Sequence, residues 1–134
     1  MSAQRLALAT LLVRDYDLAR AWFERVLGWR VVEDTVLGPA KRWLVVAPAQ
    51  GGGGLLLARA ATPAQDAAVG AQAAGRVAFF LHTDDFDADL ARLRTHGVRL
   101  GEPAPRDEAY GRVIVFLDLY GNRWDLIGPP RRPA

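Results

Sequence analysis

The 134-residue sequence contains no cysteine. This absence excludes thiolate catalysis, zinc ribbons and a disulfide-stabilised scaffold. No apolar run reaches the ~20 residues that a membrane-spanning helix needs, and the N-terminus lacks the basic segment and apolar core of a secretion signal. A chain of this length buries enough surface to fold without a disulfide or a metal, so we expect a single soluble, cytoplasmic domain.

Lysine and histidine are also scarce. Lys41 is the sole lysine, His82 and His96 are the only histidines, and the formal net charge is +2. The other basic residues are arginines, spread along the chain with acidic residues between them. This pattern is typical of a solvated surface rather than a basic stripe, so we expect no nucleic-acid partner. The glycine run 51–54 lacks the lysine of a phosphate loop, and the sequence contains no nucleophile elbow.

The chain contains an internal repeat. Asp15-Tyr16-Asp17 opens an amphipathic stretch that ends at Gly28, and Asp85-Phe86-Asp87 opens another that ends at Gly97. Each stretch follows an apolar run and leads into a β-branched run. A repeat of this length is longer than a solenoid unit and indicates two related modules within one small domain.

Each module is predicted to be β-α-β-β-β. In the first module the apolar residues of the helix follow one helical face, Asp15 is its expected N-cap and Gly28 its expected end. The predicted elements there are strands over 6–13, 29–36, 42–46 and 55–58 and a helix over 15–28. In the second module they are strands over 76–82, 98–101, 113–117 and 123–127 and a helix over 85–97, closed at Gly97.

The predicted fold class is α+β, with two tandem βαβββ modules that form a curved-sheet cleft. The whole chain, 1–134, is predicted to be one domain, with a first module at about 5–60, a linker over 61–75 and a second module at about 76–128. The linker is predicted because that stretch is small, polar and without periodicity. The tail from Pro129 is predicted to fray.

Three segments on this repeat carry a resemblance to a known family. They are Leu11–Trp29, Phe79–Asp87 and Phe116–Leu126, the last with Gly121-Asn122 before the final strand. In this order they resemble the glyoxalase/bleomycin-resistance/dioxygenase family, the vicinal-oxygen-chelate superfamily, over about residues 6–127. Leu119 stands where that family usually has proline. The resemblance implies the fold and says little about the reaction.

Enzymes of this family mostly hold a divalent metal that chelates two neighbouring oxygens of the substrate. The resemblance implies four ligand positions, which fall at Leu8, near Leu56, at Ala78 and at Asp125. Only Asp125 offers a donor atom, and a hard divalent cation needs several oxygen or nitrogen donors. We therefore expect no metal cofactor and disfavour, without excluding, a divalent metal.

Strand alternation then suggests which residues line the cleft. Side chains alternate between the two faces of a strand, so residues two apart point the same way. If Leu8, Ala78 and Asp125 point into the cleft, Thr10 on the first strand and Arg76, Phe80 and His82 on the matching strand do so as well. Tyr110 follows a charged loop, which suits either a mobile lid or a plain turn. The predicted ligand-binding residues are Leu8, Thr10, Arg76, Phe80, His82, Tyr110 and Asp125. For Asp125 the structural alternative is an ion pair with a nearby arginine, and for His82 and Arg76 it is an exposed place at a strand end.

Three classes of function remain open. The first, which we favour, is a protein that binds a small molecule without a metal, as the resemblance to drug-resistance members implies. Because the chain is slightly basic, a neutral or anionic ligand fits a metal-poor cleft better than a cationic one. The second is an enzyme of the family, either a metal-dependent lyase, isomerase or dioxygenase or a metal-free acid–base catalyst. The third is a protein-interaction module. The resemblance, four tryptophans and a 51% hydrophobic composition together predict a two-fold homodimer.

Overall fold

The computed structural model describes residues 1–130, which form two compact units that meet in sequence at Val69 and Gly70. The first unit contains β1 (Leu8–Val13), α1 (Tyr16–Trp22), a π-helical turn (Phe23–Leu27), β2 (Arg30–Gly38), β3 (Lys41–Ala47), β4 (Gly54–Arg59) and α2 (Pro63–Ala68). The second contains β5 (Val77–His82), α3 (Phe86–Thr95), β6 (Arg106–Glu108), β7 (Gly111–Leu117) and β8 (Arg123–Gly128). The part of the predicted frayed tail after Pro130 lies outside the described residues.

The first unit is a four-stranded sheet in the order β1-β4-β3-β2, with β1 parallel to β4 and the other pairs antiparallel. Its helix starts where predicted, because the Asp15 carboxylate accepts a hydrogen bond from the Leu18 amide at 2.8 Å. The last turn is π-helical and ends at Gly28, whose φ of 67° is the left-handed conformation that glycine adopts without strain. The helix packs its apolar face against β3 and β4.

The second unit repeats this arrangement in the order β5-β8-β7-β6. Asp85 caps α3 by accepting from the Ala88 amide at 3.1 Å, and Gly97 has a φ of 67°. The helix buries Phe86, Leu90 and Leu93 and contacts β8. The predicted α+β class and the two βαβββ modules are therefore both present.

One predicted strand is wrong. The segment 98–101 contributes only an isolated bridge between Leu100 and Phe116, and the strand of this region is β6, which lies in the predicted charged loop. Pro103 and Pro105 prevent regular strand pairing in this segment, because proline has no amide hydrogen to donate to a neighbouring strand. The strand that follows is at the sheet edge and pairs only with β7, so one side of it can carry charged residues.

The predicted linker over 61–75 contains the short helix α2. Thr62 caps it by accepting from the Gln65 amide at 3.1 Å, and Pro63 occupies its first turn, where a missing amide hydrogen is harmless. Six residues are too few to show helical periodicity in the sequence. Among residues 1–130, no helix has the length and apolar character needed to cross a membrane.

Candidate functional site

Asp125 is the most unusual polar residue of the second unit. It lies on β8 opposite Phe80 of β5 and Val115 of β7, and it is 5% exposed. Its Oδ1 atom is buried without a hydrogen-bond partner. Buried carboxylate oxygens are almost always paired, so an unpaired one calls for an explanation beyond folding.

The environment of Asp125 favours its neutral form. Burial raises the pKa of the Asp125 carboxyl, the positive charge of Arg106 acts against this rise, and the negative charge of Glu102 adds to it. Because the net pKa shift is upward, desolvation outweighs the attraction of the arginine. This carboxyl can therefore accept a hydrogen bond when ionised and donate one when protonated.

The ion pair beside Asp125 was not predicted from the sequence. Arg106 donates from Nη1 to both carboxylate oxygens of Glu102, at 3.0 and 2.7 Å, and from Nε to Glu108 at 3.0 Å. Glu102 also accepts from the Val115 amide at 3.0 Å, which ties this segment to β7. Burial lowers the pKa of Arg106 and the bonds to Glu102 raise it, with a net rise. The four-residue spacing of Glu102 and Arg106 is the sequence signal for this pair, in a segment that the sequence predicts to be a charged loop.

Two predicted residues share a sheet face with Asp125. Residues opposite each other on neighbouring strands project to the same side of a sheet, and Phe80 lies opposite Asp125 while His82 lies opposite Ile127. Phe80 is 63% exposed. We call the surface formed by Phe80, His82, Val115, Asp125 and Ile127 the Asp125 face. Its members are apolar or aromatic apart from His82 and Asp125.

Arg76 does not lie on the sheet face where strand alternation predicted it. The register of β5 and β8 shifts between Val77 and Phe79, where two steps along β5 match one step from Arg123 to Trp124. The period of two therefore does not extend from Phe80 back to Arg76. The structure places Arg76 before β5, exposed, beside a small pocket that Arg123 also lines. Its role as an anchor beside Asp125 remains a prediction without that geometric basis.

The other predicted residues lie apart from Asp125 along the chain. Tyr110 is 59% exposed in the turn that joins β6 to β7. Leu8 and Thr10 belong to β1 of the first unit, where Thr10 lies opposite Leu56. The structure thus assembles Phe80, His82 and Asp125 on one face of the second unit. The binding roles of Leu8, Thr10 and Tyr110 remain predictions.

The donor set does not fit the divalent metal that the family resemblance implies. Within residues 1–130, no group of three or more histidine, cysteine or acidic side chains could hold a metal ion. Asp125 lies between Phe80 and Val115, neither of which has a donor side chain. The charged neighbour that favours its ionised form is the cation Arg106, which would repel a metal.

The closing motif of the sequence builds a turn. Asp118 is 7% exposed, and its carboxylate accepts from the amides of Tyr120 and Asn122, the Asn122 side chain and the Trp124 indole, at 3.0 to 3.3 Å. These bonds hold the connection between β7 and β8 and fix the start of β8. The Asp118 turn therefore positions the strand that carries Asp125.

The chain matches a family model and a known protein over most of its length. Residues 5–126 match the family model described as the Glyoxalase/Bleomycin resistance protein/Dioxygenase superfamily. An uncharacterized protein from Shewanella frigidimarina (strain NCIMB 400) is 44% identical over 126 residues, which cover 92% of this chain and 93% of that protein.

Solved structures share the fold. TnmS3, an antibiotic binding protein from Streptomyces sp. CB03234, has a TM-score of 0.79 and 30% identity, covering 96% of this chain and 98% of that chain. A glyoxalase/bleomycin resistance protein from the same Streptomyces strain has a TM-score of 0.72 and 31% identity, covering 90% of this chain and 97% of that chain. These likenesses confirm the predicted fold class and the family resemblance.

Proposed function

Because this chain belongs to the Glyoxalase/Bleomycin resistance protein/Dioxygenase superfamily, we propose that it binds a small organic molecule at the Asp125 face. The observation that carries this proposal is the buried Oδ1 of Asp125, which has no hydrogen-bond donor in the described part of the chain. A hydroxyl or N–H group of a ligand would supply the missing donor once a rotation of the Asp125 side chain turned the buried oxygen toward it.

The rest of the face suggests the shape of the ligand. Phe80, opposite Asp125, exposes 63% of its surface and offers an aromatic ring for stacking. Val115 and Ile127 add apolar area on the same face. The guanidinium of Arg106 is already bonded to two glutamates, so the face favours a neutral molecule over an anionic one. The ligand we propose is a neutral, planar aromatic compound with a hydrogen-bond donor.

The likeness to TnmS3 supports binding of an organic molecule. That protein is an antibiotic binding protein, and it is 30% identical over 96% of this chain. Binding sites of this kind are mostly apolar with a few placed polar groups, as the Asp125 face is.

The test is an amide NMR titration with 2-naphthol, a neutral fused aromatic with one hydroxyl donor, and with naphthalene, which lacks the donor. We expect saturable shifts of amides in β5 and β8, with 2-naphthol binding about tenfold more tightly because its hydroxyl satisfies Asp125. Asp125→Leu should reduce the affinity for 2-naphthol to that for naphthalene. Asp84→Leu, which removes an exposed aspartate, is the matched control and should leave both affinities unchanged.

Two outcomes would refute the proposal. One is the absence of saturable shifts with either compound. The other is equal binding of 2-naphthol by the parent protein and by a folded Asp125→Leu variant, which would show that the carboxylate takes no part.

A second candidate function is metal-free acid–base catalysis, and it rests on the raised pKa of Asp125. Enzymes raise the pKa of a carboxyl by burial so that it can donate or accept a proton near neutral pH. If a compound that binds is also converted, Asp125→Asn should abolish turnover while the compound still binds. Conversion that survives Asp125→Asn would exclude this role for Asp125.

The expectation of a metal-free protein also leads to a test. The ligand positions implied by the resemblance are held by Leu8, Leu56 and Ala78 in addition to Asp125. Adding nickel, zinc, manganese or iron should leave the melting temperature unchanged, because an ion that binds only the native state must raise it. A rise of several degrees with one metal, lost in Asp125→Ala, would contradict the expectation.

We also propose that the protein is a two-fold homodimer in the cytoplasm. The exposed apolar residues of β2 support an interface, since Val32, Val36 and Leu37 are 46%, 73% and 55% exposed. Light scattering should report twice the chain mass of 14.6 kDa at micromolar concentration. A mass of one chain would refute the dimer.

A further inference from the structure

The second unit contains a pocket that the proposed function does not use. It has a volume of about 160 Å³ and lies between the turn over residues 70–75 and the connection from β7 to β8. A Cβ atom at Gly70 would collide with the backbone oxygen of Tyr120, so the turn lies directly against that connection. Gly70 also has a φ of 77°, a conformation that favours glycine. The local backbone therefore forms the pocket wall.

The charge of this pocket is positive and unneutralised. Arg76 and Arg123 are its charged lining residues, and no acidic residue lines it. Neither arginine side chain has a hydrogen bond or an ion pair with the rest of residues 1–130, whereas Arg42, Arg106 and Arg112 are each paired with carboxylates. Two cationic residues at one small pocket without an acidic neighbour favour an anion there. Arg123 Nη2 lies 3.2 Å from the position that a Cβ atom of Gly101 would take, so the Arg123 side chain must turn toward the pocket to reach the anion.

The backbone of the turn offers further donors. Ala71, Ala73 and Gly75 line the pocket, and their amides make no hydrogen bond within the described part of the chain. Ala74 and Gly75 both have positive φ, at 53° and 85°. Unpaired amides in turns with left-handed residues form concave sites that attract anions. Arginine forks and backbone amides together are the donors that bind phosphate oxygens.

We propose that this pocket binds a compact oxyanion of the phosphate type, held by Arg76, Arg123 and the amides of the turn over residues 70–75. This site gives Arg76 the anion-binding role predicted from the sequence, at a different place from the Asp125 face. The proposal does not rest on the proposed function, because the groups that would contact the anion belong to another set of residues.

The test is an amide NMR titration with inorganic phosphate, in which sodium chloride keeps the ionic strength constant. We expect saturable shifts of the Ala71, Ala73 and Gly75 amides. Arg76→Gln and Arg123→Gln should each weaken phosphate binding about tenfold, since each removes a charge-assisted hydrogen bond. Arg94→Gln removes the same charge from an exposed position on α3 and should leave the affinity unchanged.

Shifts that grow linearly without saturation would overturn the proposal, because they report nonspecific screening. An equal loss of affinity in Arg94→Gln would overturn it as well, since binding would then follow net charge. If Arg123→Gln does not fold, the phosphate affinity of Arg76→Gln tests the site by itself. Unchanged affinity in that variant refutes the site, and about tenfold weaker binding supports it. Binding of 2-naphthol would be unaffected by either result.

Discussion

The two units share their strand order and differ at the position of Asp125. In the first unit Leu56 lies opposite Thr10 and a valine, and in the second Asp125 lies opposite Phe80 and a valine. The same fold therefore accepts an apolar residue at this place. The fold therefore does not need a buried carboxyl there, which supports the proposed binding role of Asp125.

The features that the units share are structural. In each unit an arginine of the sheet lies over an aromatic ring and bonds an aspartate of the helix, and the two sets are Arg42–Tyr16–Asp17 and Arg112–Phe86–Asp87. The distances from guanidinium to ring are 5.0 and 4.9 Å, and both ion pairs measure 2.8 Å. In each unit the cation–π contact and the ion pair together hold the first turn of the helix against the sheet.

The largest effect is expected at the connection before the last strand of each sheet. In the first unit it is a glycine-rich loop over residues 48–53, whereas in the second it is held by the Asp118 carboxylate. Asp118→Ala should lower the free energy of unfolding by roughly 2–4 kcal/mol, because it leaves buried donors unpaired. Urea unfolding of both proteins measures the difference. Asp107→Ala, at an exposed position on β6, is the control and should change stability by less than ~0.5 kcal/mol. Equal losses would contradict this account of the turn.

A smaller difference in stability is expected between variants of Arg42 and Arg112. Arg42 also bonds Asp34 at 2.6 and 3.0 Å, and both side chains are mostly buried, whereas Asp87, the partner of Arg112, is 82% exposed. Arg42→Ala should lower the free energy of unfolding by about 1–3 kcal/mol and Arg112→Ala by about 1 kcal/mol or less. Chemical denaturation of the two variants under the same conditions measures the difference. A larger loss in Arg112→Ala would reverse the comparison.

The Asp34 pair also predicts a pH dependence. The hydrogen bond from Arg42 lowers the pKa of Asp34 more than burial raises it. An acid with a lowered folded-state pKa stabilises the protein above its unfolded pKa of about 3.9, and this stability is lost as the pH falls through the folded value. Asp34→Asn should therefore lower stability by about 1–2 kcal/mol at neutral pH and by progressively less below about pH 4. A loss independent of pH would show that the effect is steric.

The sequence predicted what depends on local chemistry. Asp15, Gly28, Asp85 and Gly97 mark helix ends because capping needs only neighbouring residues. Alternation along β5 correctly placed Phe80 and His82 on one face with Asp125. These features can be recognised without knowing the partner strands.

The parts that sequence reasoning missed depend on contacts between distant segments or on register. The pairing of Glu102 with Arg106 matters because Glu102 also reaches the Val115 amide, 13 residues away. The register shift that separates Arg76 from the Asp125 face exists only in the pairing of β5 with β8. Neither is visible as a pattern in one segment of the chain.

We propose that Asp125 serves binding and not stability, and the unfolding free energy of Asp125→Asn without ligand tests this proposal. Burial raises the pKa of Asp125, so its ionisation destabilises the folded state increasingly as the pH rises above its unfolded pKa of about 3.9. We expect the variant to be more stable than the parent at neutral pH and equally stable near pH 3. A variant about 1 kcal/mol or more less stable at neutral pH would contradict the claim, because it would show that the ionised carboxylate supports the fold.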